Sequence, residues 1–250
     1  MGTPKGIGYA LMEPMERKGR KMAKQHITAQ EAAALIPEGA TIMVGGFMGC
    51  GTPHRVIAAL AALGTKDLTL ICNDGSMPNG PDGSDFYGVA KLIHNKQVKK
   101  LIASHVGLNP EVAQQMNEGS LEVVLIPQGS MVEMIRAGGA GLGGVLTPTG
   151  LGTIVEEGEH VHSVVDVDGK KYLLERPLRA DFALISGHKI DGEGNIWYKG
   201  STRNFNVAMA TAADKVIAEG DRIVETGDIA PEEVVTSGIL VDYIVEGGQA

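Results

Sequence analysis

TIMVGGFMGCGTP, residues Thr41–Pro53, joins a short buried strand to a helix. Thr41–Val44 is the apolar run expected of a strand whose two faces are both covered. Pro53 suits the start of a helix, where backbone N–H groups lack partners. We expect the glycine loop between them, Gly45–Gly51, to let a ligand approach its backbone while N–H groups at the helix start face an anion. A tight strand-to-helix turn without a ligand is the alternative.

On both sides of this loop the chain alternates between helix and strand patterns. Thr28 and Glu31 have the spacing of a capping box, and Pro37 ends the helix that they begin. After the loop we predict helices at about 53–63, 85–94, 111–117 and 130–136, and strands at 68–72, 100–104 and 121–126. This alternation predicts an α/β fold, an open and mostly parallel sheet with helices on both faces. Ligands of such sheets bind at the carboxyl ends of the strands.

The second half of the chain is less regular. Asp168–Gly169 lies between strand patterns at 161–167 and 171–175, and this dipeptide is a strong hairpin signal. Further buried strands are predicted at 182–186 and 215–219. Because no low-complexity linker divides the chain, we expect residues 26–250 to form a single domain with an inserted β-hairpin near 160–175.

Residues 1–25 differ from the rest, since they are basic and show no apolar periodicity. They lack the apolar centre of a secretory signal, and Glu13 and Glu16 fit a transit peptide poorly. Two interpretations stay open. One is a flexible basic leader. The other is a translated ribosome-binding site, encoded by the purine-rich codons of residues 16–21, with Met22 as the native start.

Composition excludes several classes of protein. The chain has 250 residues, of which 43% are apolar and 21% charged, enough for a full globular core. Its net charge of −8 is opposite to that of most nucleic-acid binders. No apolar run approaches the roughly 20 residues of a membrane helix. The only cysteines, Cys50 and Cys72, do not suggest a disulfide framework or a zinc ribbon, so we expect a cytoplasmic protein.

The glycine loop also carries a resemblance to a known family. GGFMGCGTP at 45–53 resembles the GGFxxxGxP signature in the α subunit of family I coenzyme A transferases. The similarity extends from Met22 to Glu246. Further matching segments are SHVG at 104–107, IPQGS at 126–130, IRAGGAG at 135–141, LTPTGLGT at 146–153 and RNFN at 203–206. LLERPLRAD at 173–181 is closest to the acetate and acetoacetate branch.

The resemblance implies half of an enzyme. In that family a glutamate attacks the acyl-CoA thioester, forming an acyl-glutamyl anhydride and then an enzyme–CoA thioester. This glutamate lies in a Ser-Glu-Asn-Gly type motif of the β subunit, and the present chain has no such motif. The resemblance therefore implies an α subunit of a short-chain acyl-CoA:carboxylate CoA-transferase, acting on acetyl-, butyryl- or acetoacetyl-CoA in an assembly of two α and two β subunits. Coenzyme A is then a substrate, with no metal and no permanently bound cofactor.

The resemblance also assigns site residues. Gln128 is the expected oxyanion-hole donor, although a loop-capping amide is the alternative. Asn73 is a weaker candidate for the substrate pocket. The segment expected to face acyl-CoA comprises Gly45, Gly46, Phe47, Met48, Gly49, Cys50 and Gly51.

Other interpretations compete with this one. A sugar-phosphate isomerase would need a phosphate loop and an acid–base pair of carboxylate and lysine, which we do not find. A dinucleotide-dependent oxidoreductase would need a strand before the GxGxxG at 139–144, where we predict a helix. His160 and His162 lack a third metal ligand in sequence. Sequence leaves the roles of four residues open: Cys50, His105, His188 and Arg203.

Overall fold

The computed structural model describes residues 24–81 and 83–247. Its strands are β1 Gln25–Ile27, β2 Thr41–Val44, β3 Leu68–Cys72, β4 Met77–Asn79, β5 Asp85–Tyr87, β6 Val98–Ala103, β7 Glu122–Leu125, β8 Val145–Thr147, β9 Val161–Val167, β10 Lys170–Glu175, β11 Ala180–Asp191, β12 Ile196–Trp197, β13 Ala213–Val224 and β14 Tyr243–Glu246. Its α-helices are α1 Ala29–Ala34, α2 His54–Leu63, α3 Ala90–His94, α4 Pro110–Asn117, α5 Gln128–Ala140 and α6 Asn206–Met209.

A central sheet organises the chain. Its strand order is β1–β14–β13–β11–β2–β3–β6–β7, and all neighbours on this path are parallel. The short strand β12 pairs with β11 in the antiparallel direction. The structure thus confirms the predicted α/β fold with a mostly parallel sheet.

The two faces of the sheet have separate apolar cores. Ile42 and Val44 of β2 lie in a core that includes buried residues of α1 to α4. Met43, between them, lies in the other core, together with buried residues of α5 and α6. Because side chains alternate along a strand, an unbroken apolar run can fill both cores at once. The expected helices therefore lie on both faces.

The predicted hairpin is present but belongs to a larger unit. Strands β9 and β10 pair across Asp168–Gly169, whose φ angles of 53° and 80° are those required by a tight hairpin turn. Strand β8 pairs with the far edge of β10, which makes a three-stranded antiparallel sheet. The sequence prediction missed β8 because its three residues carry too short a pattern.

The predicted helix at 85–94 is wrong in its first half. Residues Asp85–Tyr87 form β5, which pairs with β4, and the helix begins only at Ala90. Phe86 and Gly88 have φ angles of 54° and 57°, which interrupt a right-handed helix. The ring of Tyr87 lies 4.4 Å from that of His54, measured between centroids. Tertiary packing therefore overrides the local helix pattern here.

Both interpretations of residues 1–25, the flexible basic leader and the native start at Met22, concern residues outside the described part of the chain, except for positions 24 and 25. Of these, Gln25 already belongs to β1, which pairs with β14. The longest described helix, α5, has 13 residues, and none of the described helices combines the length and apolarity of a membrane span.

Candidate functional site

The glycine loop leaves β2 and folds into a tight turn. The N–H of Phe47 donates to Cys50 O at 3.0 Å, and the N–H of Cys50 donates to Phe47 O at 2.9 Å. Met48 and Gly49 between them have φ angles of 51° and 79°. These left-handed conformations present Phe47 and Cys50 on one side of the turn, where both side chains are exposed.

The glycines are required by the protein behind the loop. A Cβ atom at Gly45 would overlap the side chain of Asn206, and one at Gly49 would overlap the ring of Tyr87. A Cβ atom at Gly46 would likewise overlap the side chain of Thr52. Protein atoms thus occupy the space that a side chain would need at all three positions. That these glycines face acyl-CoA stays a prediction.

Two asparagines hold the loop in place. Asn204 accepts a hydrogen bond from the N–H of Gly46 at 3.0 Å and donates to Cys50 O at 2.9 Å. Asn206 is fully buried and donates to Gly51 O at 2.9 Å. Both lie in RNFN at 203–206, one of the segments that carry the family resemblance. The structure gives both asparagines the supporting role.

Asp74 holds Met48, the non-glycine residue of the turn with a left-handed conformation. Its carboxylate accepts hydrogen bonds from the N–H groups of Met48 at 2.7 Å and Ser76 at 2.6 Å. Burial raises the pKa of Asp74, and these two hydrogen bonds oppose that rise. The sequence analysis missed this residue because its partner lies 26 positions away.

The N–H groups at the start of helix α2 have a partner within the protein. The N–H groups of Arg55 and Val56, which have no partner within the helix, donate to the carboxylate of Glu219 at 3.2 and 2.9 Å. A carboxylate from strand β13 therefore occupies the place that we expected an anion to take. Burial raises the pKa of Glu219, and the same N–H groups act in the opposite direction. This contact pins α2 to the sheet.

A cavity of about 430 Å³ opens beside the turn. Its lining residues are Phe47, Cys50, Asn73, Gln128, Gly129, Val132, Ser201, Asn204 and Phe205. The structure thus brings together four of the candidate residues. The other loop candidates, Gly45, Gly46, Met48, Gly49 and Gly51, do not line it.

Two side-chain amides meet at this cavity. Gln128 Nε2 donates to Asn73 Oδ1 at 2.9 Å, and Ser104 Oγ donates to the same oxygen at 2.7 Å. These contacts fix the buried amide of Asn73. Among the described residues, Asn73 Nδ2 and the second N–H of Gln128 have no partner. The arrangement offers neutral hydrogen-bond donors to a polar ligand atom.

Gln128 owes its position to the start of a helix. It is the first residue of α5, after Pro127, and no side chain caps this helix. Gln128 follows the carboxyl end of strand β7. In sheets of this kind, ligands bind at the carboxyl ends of the strands. Asn73 likewise follows the carboxyl end of β3.

A buried carboxyl group lies near the first turn of α5. Neither carboxyl oxygen of the fully buried Glu175 has a hydrogen-bond partner in the described part of the chain. Burial raises the pKa of Glu175, and Ser130, which faces it without completing a hydrogen bond, offsets part of the shift.

This burial predicts a pH-dependent stability. Below its ordinary pKa of 4.5 the group is protonated in both the folded and the unfolded states. As pH rises, the unfolded chain ionises first, so stability falls until the raised pKa of the folded state is passed. We expect the melting temperature of Glu175→Gln to fall less than that of the wild type between pH 5 and pH 8. Equal falls, measured by thermal unfolding, would contradict this expectation.

The remaining candidates lie elsewhere. His188 pairs with Asp221 at 2.9 Å, and His105 lies near Asp74. Arg203 borders a neighbouring cavity. Two acidic residues between β8 and β9 also have partners: Glu159 pairs with Lys100, and Glu156 accepts from the N–H of Gly152 at 2.7 Å. Within residues 24–81 and 83–247, no three His, Cys, Asp or Glu side chains form a metal-binding group.

The GxGxxG segment does not have the setting of a dinucleotide site. Gly139 lies inside α5, and Gly141 caps that helix with a φ of 70°. A helix therefore precedes the motif where a strand is needed. Gly139 packs closely against Thr211, where a Cβ atom would overlap the threonine side chain.

The chain is similar in sequence to known proteins. The sequence profile of the coenzyme A transferase family matches residues 26–247. The acetate CoA-transferase subunit alpha of Escherichia coli (strain K12) is 50% identical over 224 residues, which are 90% of this chain and 97% of that protein. The acetoacetyl-CoA:acetate/butyrate CoA transferase alpha subunit of Clostridium acetobutylicum is 47% identical over 90% of this chain and 99% of its own length.

A solved structure supports the fold. The acyl-CoA transferase of E. coli O157:H7, in a thioester complex with CoA, superposes with a TM-score of 0.77 at 24% identity. The match covers 90% of this chain and 47% of that one. At this identity the likeness concerns the fold alone. The family profile and the two α-subunit relatives show that this chain belongs to the coenzyme A transferase family.

Proposed function

We propose that this chain is the α subunit of a short-chain acyl-CoA:carboxylate CoA-transferase, with coenzyme A as a substrate and no permanently bound cofactor. One observation carries the proposal. The amides of Asn73 and Gln128 meet at a cavity beside the glycine loop, with amide N–H groups left unpaired among the described residues. Such donors suit a carbonyl oxygen on which negative charge develops.

The chemistry explains why neutral amides fit this task. Interconversion of a thioester and an acyl anhydride places negative charge on the carbonyl oxygen in each tetrahedral step. A preorganised donor lowers such a barrier by roughly 3 to 4 kcal/mol. An amide donates a hydrogen bond without titrating, so its action does not depend on pH. We assign Gln128 as the principal donor and Asn73 as the residue that orients it.

The nucleophile belongs to a partner in this proposal. The described residues that line the cavity include no aspartate or glutamate. Phe47, Cys50 and Gln128 remain exposed, as expected of a site that a second chain completes. The two similar bacterial proteins are themselves named alpha subunits. We therefore propose a β subunit that supplies the glutamate, in an assembly of two α and two β chains in the cytoplasm.

The proposed substrates are acetyl-, butyryl- and acetoacetyl-CoA with small carboxylate acceptors. The names of the two similar proteins refer to acetate, and one of them also to acetoacetyl-CoA and butyrate. The cavity lining described above is uncharged and carries the aromatic rings of Phe47 and Phe205. Apolar surface of this kind favours short hydrocarbon chains.

Exchange between acetyl-CoA and butyrate tests the proposal. We expect no exchange with this chain alone and measurable exchange after co-expression with the product of the adjacent gene. Formation of butyryl-CoA is followed by chromatography. Exchange by the chain alone would contradict the division of labour, and Glu156, Glu157 and Glu159 would then be the first residues to replace.

A further inference from the structure

Val132 lies on the same face of α5 as Gln128. The two residues are four positions apart, so they are neighbours on the helix surface, about 6 Å apart along its axis. Both line the cavity. Val132 is half-buried and packs against the apolar core on its side of the sheet, so its position is held from behind. Val132 is thus the aliphatic lining residue next to Gln128, the proposed oxyanion donor.

The surroundings of Val132 are uncharged. The lining also carries Phe47 and Phe205, and the other described lining groups are neutral. Two arginines, Arg136 and Arg203, lie outside in a neighbouring cavity of about 480 Å³. A carboxylate buried beside Val132 would lose water without meeting a cation among the described lining residues of this chain, which is unfavourable.

We propose that Val132 sets the length limit of the acyl chain, and that this cavity selects short uncharged acyl groups over dicarboxylic ones. The inference rests on the proposed function, which places the reacting carbonyl at Gln128 and Asn73. From that point the acyl tail extends along α5 and meets Val132. A bulkier side chain there shortens the available space, and a smaller one lengthens it.

Three variants of the assembled enzyme test this assignment. The readout is the ratio of kcat/KM values for hexanoyl-, butyryl- and acetyl-CoA, all measured with one small carboxylate acceptor that differs from the three acyl groups. Because ratios compare substrates within one preparation, partial unfolding of a variant cancels. Val132→Ala should raise the hexanoyl-to-acetyl ratio about tenfold, and Val132→Leu should lower the butyryl-to-acetyl ratio about tenfold, as expected of one to two methylene groups. Val132→Thr, of nearly equal volume, should leave the order of chain lengths unchanged.

The outcomes separate this inference from the proposed function. If the wild-type assembly exchanges CoA but all acyl chains respond equally to Val132→Ala, then Val132 contacts the coenzyme and the inference fails. A wild type that prefers succinyl-CoA to butyryl-CoA would also overturn it. If the wild-type assembly exchanges CoA with no acyl-CoA at all, the proposed function itself fails.

Discussion

Turnover of the assembled enzyme should fall at least tenfold in Gln128→Ala, while the subunits stay together. The amide donates to Asn73 at 2.9 Å and keeps a second N–H for the reacting oxygen. Removal of a comparable oxyanion donor in other enzymes lowers kcat by about 100-fold or more. Gln128 is exposed at the start of α5, so its loss should cost little stability. Steady-state kinetics and size-exclusion chromatography measure the two effects.

Two further variants sharpen this test. Gln114→Ala removes an exposed amide of α4 that donates to Glu118, and it should leave turnover unchanged. Gln128→Glu keeps the shape but replaces the donor with an acceptor, so its turnover should fall at least as far as that of the alanine variant. Full turnover in either Gln128 variant would remove this residue from the oxyanion role.

Gly51→Ala should destabilise the protein by about 3 to 5 kcal/mol, through left-handed strain and overpacking together. Gly51 has a φ of 78°, and a Cβ atom there would overlap the carbonyl oxygen of Thr202. That oxygen belongs to the backbone and cannot rotate away. The added methyl group should also push the loop off Asn204 and Asn206, which hold it. Denaturant unfolding measures the loss, and activity should fall with it.

Gly39→Ala is the matched control for this substitution. Gly39 has a φ of 77°, but no atom lies within 4 Å of an added Cβ. The control therefore bears only the left-handed strain, about 1 kcal/mol. Equal stability losses in the two variants would show that the contact with Thr202 carries no cost.

The sequence by itself determined the architecture and the place of the glycine loop between β2 and α2. Apolar runs such as Thr41–Val44, separated by helix patterns, can be satisfied only by a sheet covered on both faces. The sequence also predicted that Gln128 follows the carboxyl end of a strand of that sheet. These features are local in sequence, because periodicity and turn chemistry act over a few residues.

Tertiary structure decided what the loop faces. Glu219 lies 163 positions from Val56, and Asn206 lies 155 positions from Gly51, yet these contacts close the helix start and fill the space behind the glycines. The same holds for β5, where Phe86 leaves the helical conformation and Tyr87 packs beside His54. A pattern read along the chain can show that a backbone group needs a partner, but only the packed fold decides whether that partner is a ligand or a distant side chain of the same chain.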